Sequence, residues 1–187
     1  MNIGKWTIEK YNFSEEEIKL TLSHFVPKMV KENEFFLKAG EVSNYIGYVT
    51  KGLLRSYFYD DQANEITTNF FPEGSLIIVA DSFNNRLPSK EYIKAIEDSE
   101  LSIISYQEQM DLYKLLPAWY QICKDFGDIK ISEILNRAES FQTLSASERY
   151  QKFCSEFPQL LQRVNLGYIA SYIGVDNATL SRIRKKK

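Results

Sequence analysis

A chain of 187 residues with 44% hydrophobic content carries enough apolar material for one sizeable domain or two small ones. No stretch approaches the roughly 18 uninterrupted apolar residues of a membrane span, and Met1 to Trp6 lack the apolar run of a secretory signal, so no membrane partner is expected and the cytoplasm is the expected compartment. The formal charge of −2 hides an asymmetry: from Gln159 onward six basic residues stand against one acid, Asp176, which makes that end +5 and everything before it −7, the layout of a protein whose one end meets a polyanion.

Ile8, Phe13, Ile18, Leu22 and Phe25 keep a helical spacing that predicts helix over the first 30 residues, with Ser14 and Glu15 to Glu17 as a helix N-terminus and Pro27 as its stop or kink. From Phe35 to Tyr106 the texture changes to short alternating runs, 35–37, 45–49, 53–59, 66–71, 76–79, 92–96 and 101–104. Gly40, Gly52, Asn64, Gly74 and Ser99 fall in the gaps, where φ must turn positive or the ladder must end. That is the pattern of an antiparallel sandwich or barrel, and a small β-barrel is expected. Helical period returns with a capping box, Ser105-Tyr106-Gln107-Glu108, which opens a short helix to Leu116. Pro117 suits the first turn of a long helix reaching Leu144.

Along that helix Trp119, Ile122, Phe126 and Ile129 form one stripe, and Ile131, Ile134, Leu135, Ala138 and Phe141 continue on a shifted one. One stripe suffices to pack a helix on its own domain, so the excess points to a second copy of the chain, with Ile122, Phe126 and Ile129 as the candidate dimer interface. The competing reading is a central core helix in a monomer. A further capping box, Ser145-Ala146-Ser147-Glu148, opens another helix that Pro158 closes. Cys123 and Cys154 lie far apart in predicted helices, give neither a disulfide framework nor a metal spacing, and read as half-buried thiols.

The sharpest pattern runs from Leu166 to Ile183. Two short helices crossing steeply need a small residue where their backbones nearly touch, supplied by Ala170, and a residue able to take positive φ at the turn, supplied by Gly174. Ile169, Ile173, Val175, Leu180 and Ile183 fall where the wedge between them must be filled, and Asn165 and Asp176 stand at the two N-cap positions. This is the scaffold of a helix-turn-helix. Its second helix would offer Asn177, Ala178, Thr179, Ser181 and Arg182 to double-stranded DNA, with Arg182 suited to guanine and Asn177 to adenine or a phosphate. Lys185, Lys186 and Lys187 read as charges that neutralise the DNA backbone. The plainer reading is a helical hairpin with a solvated face, which has no need of the Ala170 and Gly174 pair.

Antiparallel strands, a long helix and a terminal helix-turn-helix together resemble the Crp/Fnr family of bacterial transcription regulators over almost the whole chain. Tyr45 to Val49 with Lys51-Gly52 looks like the family's strand and glycine turn, Phe70 to Ser75 like the start of its effector cassette, and Ile173 to Ile183 like its recognition motif. The resemblance implies an α+β chain made of a cyclic-nucleotide-binding-like jelly roll (1–116), a dimerising helix (117–144) and a DNA-binding, truncated winged helix (145–187). It also implies RNA polymerase as a partner and a small-molecule effector. The positions nearest the family's effector pocket are Ile78, Val79, Phe83, Arg86, Ser89 and Lys90. In cyclic-nucleotide binders the cassette holds a Gly-Glu pair for the ribose and an Arg followed by Ser or Thr for the cyclic phosphate. Here those slots fall on Ile78-Val79 and Ser89-Lys90, so cAMP is not the expected effector. Two scattered cysteines and the lone His24 supply no set of iron–sulfur or haem ligands, so no cofactor is expected. The family's wing hairpin is either missing or drawn from Gln159 to Val164. An enzyme of the cupin type would need clustered His and carboxylate ligands inside the barrel, and His24 lies outside the strand runs. The remaining alternative is a ligand-sensing module whose terminal helices bind a protein.

Overall fold

The computed structural model describes residues 11–185; the expectations placed on Ile8, Lys186 and Lys187 lie outside the described residues. Among the described residues the turn signals separate eight strands: β1 (Val26–Val30), β2 (Phe35–Leu37), β3 (Tyr45–Lys51), β4 (Leu54–Tyr59), β5 (Glu65–Phe71), β6 (Leu76–Ile77), β7 (Tyr92–Ala95) and β8 (Ser99–Ser105). They form two four-stranded sheets in the orders β1-β8-β3-β6 and β2-β7-β4-β5. Apart from the β4–β5 hairpin, neighbouring strands come from distant parts of the sequence, and the interleaved order is that of a jelly roll. The sheets stay separate, so the closed barrel expected from the strand spacing is an open sandwich instead.

Alternation along the strands builds the interior. Val30, Leu37, Val49, Leu54, Phe71, Ile77, Ile93, Ala95, Leu101 and Ile103 form one buried apolar cluster. At roughly 1.5–3 kcal/mol per fully buried aliphatic or aromatic side chain, this cluster is the main stabiliser of the sandwich. Gly52 makes the expected turn at φ +94, and a Cβ there would lie 2.4 Å from the Ser99 hydroxyl and 2.7 Å from the Asp98 carbonyl, so no other residue fits.

Residues 11–30 depart from expectation. Helix α1 (Glu15–Ser23) has a complete capping box at Ser14 and Glu17, but it stops at His24, and Val26–Val30 pairs antiparallel with β8 instead of continuing the helix. Pro27 lacks the donor a helix interior needs and is tolerated on an edge strand, which β1 is. A short helix, α2 (Ala80–Asn85), occupies the stretch after β6.

Helix α3 (Tyr106–Leu115) is capped by Ser105, whose hydroxyl accepts from the Glu108 N–H at 3.2 Å. Only half of the predicted box forms, because the Glu108 carboxylate pairs with His24. Helix α4 (Pro117–Thr143) follows at the expected place and length. Its first turns bury Trp119 and Ile122 against Phe13, Ile104, Leu112 and Leu116.

Contacts divide the chain into two compact units. One holds the chain up to Ser56 together with Phe70–Gly127; the other holds Tyr57–Asn69 together with the chain from Asp128. The division falls inside α4 between Gly127 and Asp128, not at the expected ends of the long helix, and the tip of the β4–β5 hairpin belongs with the helical unit. In that second unit, α5 (Ala146–Glu156) has both halves of its capping box: Ser145 Oγ accepts from the Glu148 N–H at 3.4 Å, and the Glu148 carboxylate accepts from the Ser145 N–H at 2.8 Å. Then come a 3₁₀ turn at Pro158–Leu160, α6 (Leu166–Ile173) and α7 (Asn177–Lys185). The 3₁₀ turn and the bends after it occupy 159–164, where a wing hairpin was the alternative.

Candidate nucleic-acid interface

Asn165 opens α6, its side-chain oxygen accepting from the Gly167 N–H at 2.8 Å. The helix ends where the sequence places a turn: Gly174 sits at φ 70 and ψ 45. The Gly174 N–H reaches the Ser171 carbonyl at 3.2 Å and the Val175 N–H reaches the Ala170 carbonyl at 3.0 Å, the paired bonds of a Schellman cap. A Cβ on Gly174 would lie 2.6 Å from Phe141 Cε1, so the position requires glycine for both its φ and its neighbour. Asp176 restarts the chain as helix, its carboxylate accepting from the Thr179 N–H at 2.6 Å. That N–H, with the Thr179 hydroxyl, holds the Asp176 carboxyl below the usual carboxylate range.

Helices α6 and α7 pack on each other across this turn. Ala170 is buried at the contact, as are Ile169, Ile173 and Leu180, while Val175 and Ile183 are half-buried. Tyr150, Phe153, Leu160 and Val164 complete the core of the second unit, where Tyr172 lies 5.6 Å from the Phe153 ring. Asn177, Ala178, Ser181, Arg182, Arg184 and Lys185 are exposed and Thr179 is half-buried. Asn177 is brought beside Gly167, its amide atoms 3.5 and 3.6 Å from where a Cβ on that glycine would stand. Arg182 is braced along its own helix, donating to Thr179 Oγ1 at 2.9 Å and to the Ala178 carbonyl at 3.5 Å. Thr179 therefore also supports Arg182. Arg184 leans on the Tyr150 phenol, whose pKa burial raises. What this face offers chemically is an amide, a hydroxyl and a guanidinium pointing to solvent from one end of a braced helix.

Sequence reasoning missed the arginines behind the face. Arg149 donates from Nε to the Ile173 carbonyl and from Nη1 to the Leu144 carbonyl, both at 2.8 Å, satisfying the last carbonyls of α6 and of α4's exit. Its guanidinium lies 5.1 Å from the Phe141 ring centre, on which Arg137 also bears at 5.6 Å. An exposed-looking Arg after a capping box carries no signal of such a role. Arg137 four residues before Phe141 is the only hint.

The other expected groups are placed as follows. Ile122 is fully buried in the core of its own unit and Phe126 packs on the same cluster, so Ile122 has nothing to offer a second chain. Ile129 is 43% exposed, and beyond it on α4 Ile131, Ile134 and Leu135 face solvent more fully. Of the effector positions, Phe83 is buried with its ring 5.3 Å from Tyr106, and Ile78 and Val79 are half-buried. Arg86 is spent on structure: its guanidinium donates to the Ser43 and Phe83 carbonyls and to Asn44 and lies 4.3 Å over the Tyr106 ring. Ser89 is buried and bonded to the Glu91 backbone, while Lys90 is exposed. The Cys123 thiol accepts from Gln109 Nε2 at 3.1 Å, and burial pushes its pKa up. No described helix is long and apolar enough to cross a membrane.

Neither models of protein families nor curated protein sequences match the chain. Solved structures do. The c-di-GMP-responsive global regulator CLP of Xanthomonas campestris is similar at a TM-score of 0.72 and 18% identity, over 92% of this chain and 91% of that one. A transcriptional regulator described as of the Crp/Fnr family from Eubacterium rectale gives 0.72 and 16%, over 94% and 83%. The catabolite activator protein of Thermus thermophilus gives 0.60 and 18%, over 94% and 84%. The fold is therefore the one found in Crp/Fnr-type regulators: a jelly roll, a long helix and terminal helices.

Proposed function

We propose that the chain is a sequence-specific DNA-binding transcription regulator, not an enzyme, that works as a homodimer and reads DNA with α7. The observation that carries this reading is the α6–Gly174–α7 corner, whose buried side is filled by Ala170, Ile173 and Leu180 and whose open side presents Asn177, Ser181 and Arg182. Arg182 suits bidentate contact to guanine and Asn177 contact to adenine; Lys185, with Lys186 beyond the described residues, neutralises phosphates. The basic end of the sequence and the fold shared with regulators support the same reading.

Pairing follows from α4. Ile131, Ile134, Leu135 and Ala138 keep a 3 and 4 spacing on its solvent side, and Ile134 and Leu135 are 67% and 62% exposed. A second copy is the occupant this stripe fits, in place of the Ile122 stripe that the chain uses for itself. The effector is not cAMP: the acid and the arginine that would hold ribose and cyclic phosphate are replaced by Ile78-Val79 and Ser89-Lys90, and Arg86 is committed to carbonyls. RNA polymerase is the partner that a regulator of this type would contact.

A mobility-shift screen on genomic fragments tests the reading. Wild type is expected to select particular fragments with affinity that falls steeply as salt rises, and Arg182→Ala to lose the selectivity, costing about 1–3 kcal/mol on the selected site. Equal binding of both proteins to all fragments would refute readout through α7. A protein partner for the terminal helices would instead show no duplex binding at low salt. Sedimentation of Ile134→Glu against wild type checks the dimer: a monomeric variant is expected, and a wild-type monomer at micromolar concentration would overturn the pairing.

A further inference from the structure

The second compact unit contains a piece of chain that does not come from its own end of the sequence, the hairpin tip Tyr57–Asn69. Strand β5 lies at the edge of its sheet, where backbone groups have no further strand to pair with. Two side chains of the helical unit take up those groups. Ser171, on α6, donates its hydroxyl to the Glu65 carbonyl at 2.8 Å and accepts from the Thr67 N–H at 2.9 Å. Arg137, on α4, donates from Nη1 to the Thr68 carbonyl and from Nη2 to the Thr67 carbonyl at 3.1 Å. The same Nη2 reaches the Tyr172 carbonyl on α6 at 2.9 Å, and the guanidinium carbon lies over the Tyr172 ring, 4.0 Å from its centre. Thr67 is fully buried there.

One planar fork thus ends on two carbonyls of a strand and one of α6, the helix that precedes α7 across the Gly174 turn, while the neighbouring hydroxyl closes the same edge. A guanidinium suits this because its donors are fixed in one plane, so satisfying one carbonyl sets the angle at which it meets the others. We propose that the tip of the β4–β5 hairpin is a working part of the DNA-reading head, and that Arg137 and Ser171 are positioning residues that fix the direction of α6, and through Gly174 that of α7, without touching DNA. The inference rests on the DNA-binding reading given above. It adds that specificity depends on backbone carbonyls more than 100 residues before the recognition helix, since Ser171 and Glu65 are 106 residues apart.

The full-length chain tests this with Ser171→Ala, Arg137→Gln and Arg137→Lys, on a fluorescent duplex selected in the mobility-shift screen and on a random-sequence duplex of equal length. Ser171→Ala is the mild variant and keeps the test open should Arg137→Gln unfold. Exchange of the Thr67 amide is expected to accelerate in Ser171→Ala. Affinity for the selected duplex is expected to fall roughly 3- to 30-fold in Ser171→Ala and Arg137→Gln, with random-duplex affinity and the salt slope unchanged. Lysine is expected to fail to rescue position 137, because a point ammonium cannot span the carbonyls as a fork does. An unchanged Thr67 exchange rate removes the latch, and unchanged selectivity despite faster exchange removes the positioning role. A salt slope shallower by about 0.9 in Arg137→Gln also overturns the proposal, because it makes Arg137 a phosphate contact. A wild type that binds no duplex brings down the DNA reading and the positioning role with it. A wild type that binds selectively, beside variants that do so equally well, brings down the positioning role alone.

Discussion

Apolar burial and arginine-to-carbonyl bonds enter the two compact units in different proportions: the sandwich unit has Arg86 on Ser43 and Phe83 beside a larger apolar cluster, and the helical unit has two such arginines beside a smaller one. In the sandwich the ten residues of the main cluster are all apolar, and their attraction depends on area buried, with little regard to angle. In the helical unit a smaller apolar core around Phe153, Leu160 and Ile169 is supplemented by arginines that end on backbone carbonyls: Arg149 on Leu144 and Ile173, Arg137 on Thr67, Thr68 and Tyr172. Directional bonds of this kind decide orientation more than total stability. The main apolar cluster of the sandwich is robust to rotation of any one contact, whereas in the helical unit the loss of one fork removes several directional bonds at once.

The contrast breaks most visibly in the sandwich core. Ile77→Ala, at a fully buried site between the sheets, is expected to cost about 2–5 kcal/mol in urea denaturation, because the rigid surroundings leave a cavity. A loss under about 1 kcal/mol would mean that the sandwich is loosely packed and the comparison false. Gly174→Ala is expected to cost less in total, about 1–3 kcal/mol from the positive φ, and to have a larger effect on duplex binding than on melting. The reason is geometric: the new Cβ meets Phe141, and relief requires moving α6 or the long helix. Gly174→Ala binding the selected duplex as wild type does would show that the corner tolerates a different angle.

These two sites also show what the sequence made legible. Gly174, Ala170 and the caps at Asn165 and Asp176 could be read directly, because each answers a local demand on φ or on an orphan N–H within a few residues. The strand runs were legible for the same reason, through alternation and turn residues. What escaped is non-local. Val26–Val30 became a strand because β8, some 75 residues on, offers it a ladder, and no window around Pro27 contains that partner. The jelly-roll pairing order likewise corrected a barrel into a sandwich. Ile122 looked as available to a partner as Ile134 does, since periodicity tells which residues share a stripe but not which stripe the chain covers itself. Arg137 and Ser171 are ordinary helix residues by sequence, and their bonds to β5 appear only when the hairpin tip is in place.

Smaller effects sharpen the comparison at the helix starts. Ser145→Ala removes one bond of a complete box and is expected to cost about 1 kcal/mol in thermal melts, with the loss of exchange protection confined to α5 and its neighbours in the helical unit. Protection lost equally in the sandwich strands would show that the two units unfold as one.

The smallest effect is a pH dependence at Asp176. Its carboxyl is held below the ordinary range by the Thr179 N–H and hydroxyl, so the ionised form is favoured by folding. A depressed folded pKa contributes stability above the unfolded value near pH 4 and loses it as the pH falls through the lower folded value. Acid should therefore loosen the start of α7 first within the corner. Asp98 gives the matching case in the sandwich, its carboxyl lowered by the Glu32 N–H and then by Lys31. Asp176→Asn keeps a side-chain oxygen at the cap but cannot titrate, and is expected to hold α7 amide protection constant between pH 5 and about pH 3, where wild type loses part of it. Equal loss in both proteins would place the acid sensitivity elsewhere. The sandwich strand amides beside Asp98 should respond to pH identically in the two proteins, because Asp176→Asn changes nothing that the Glu32 N–H or Lys31 touches.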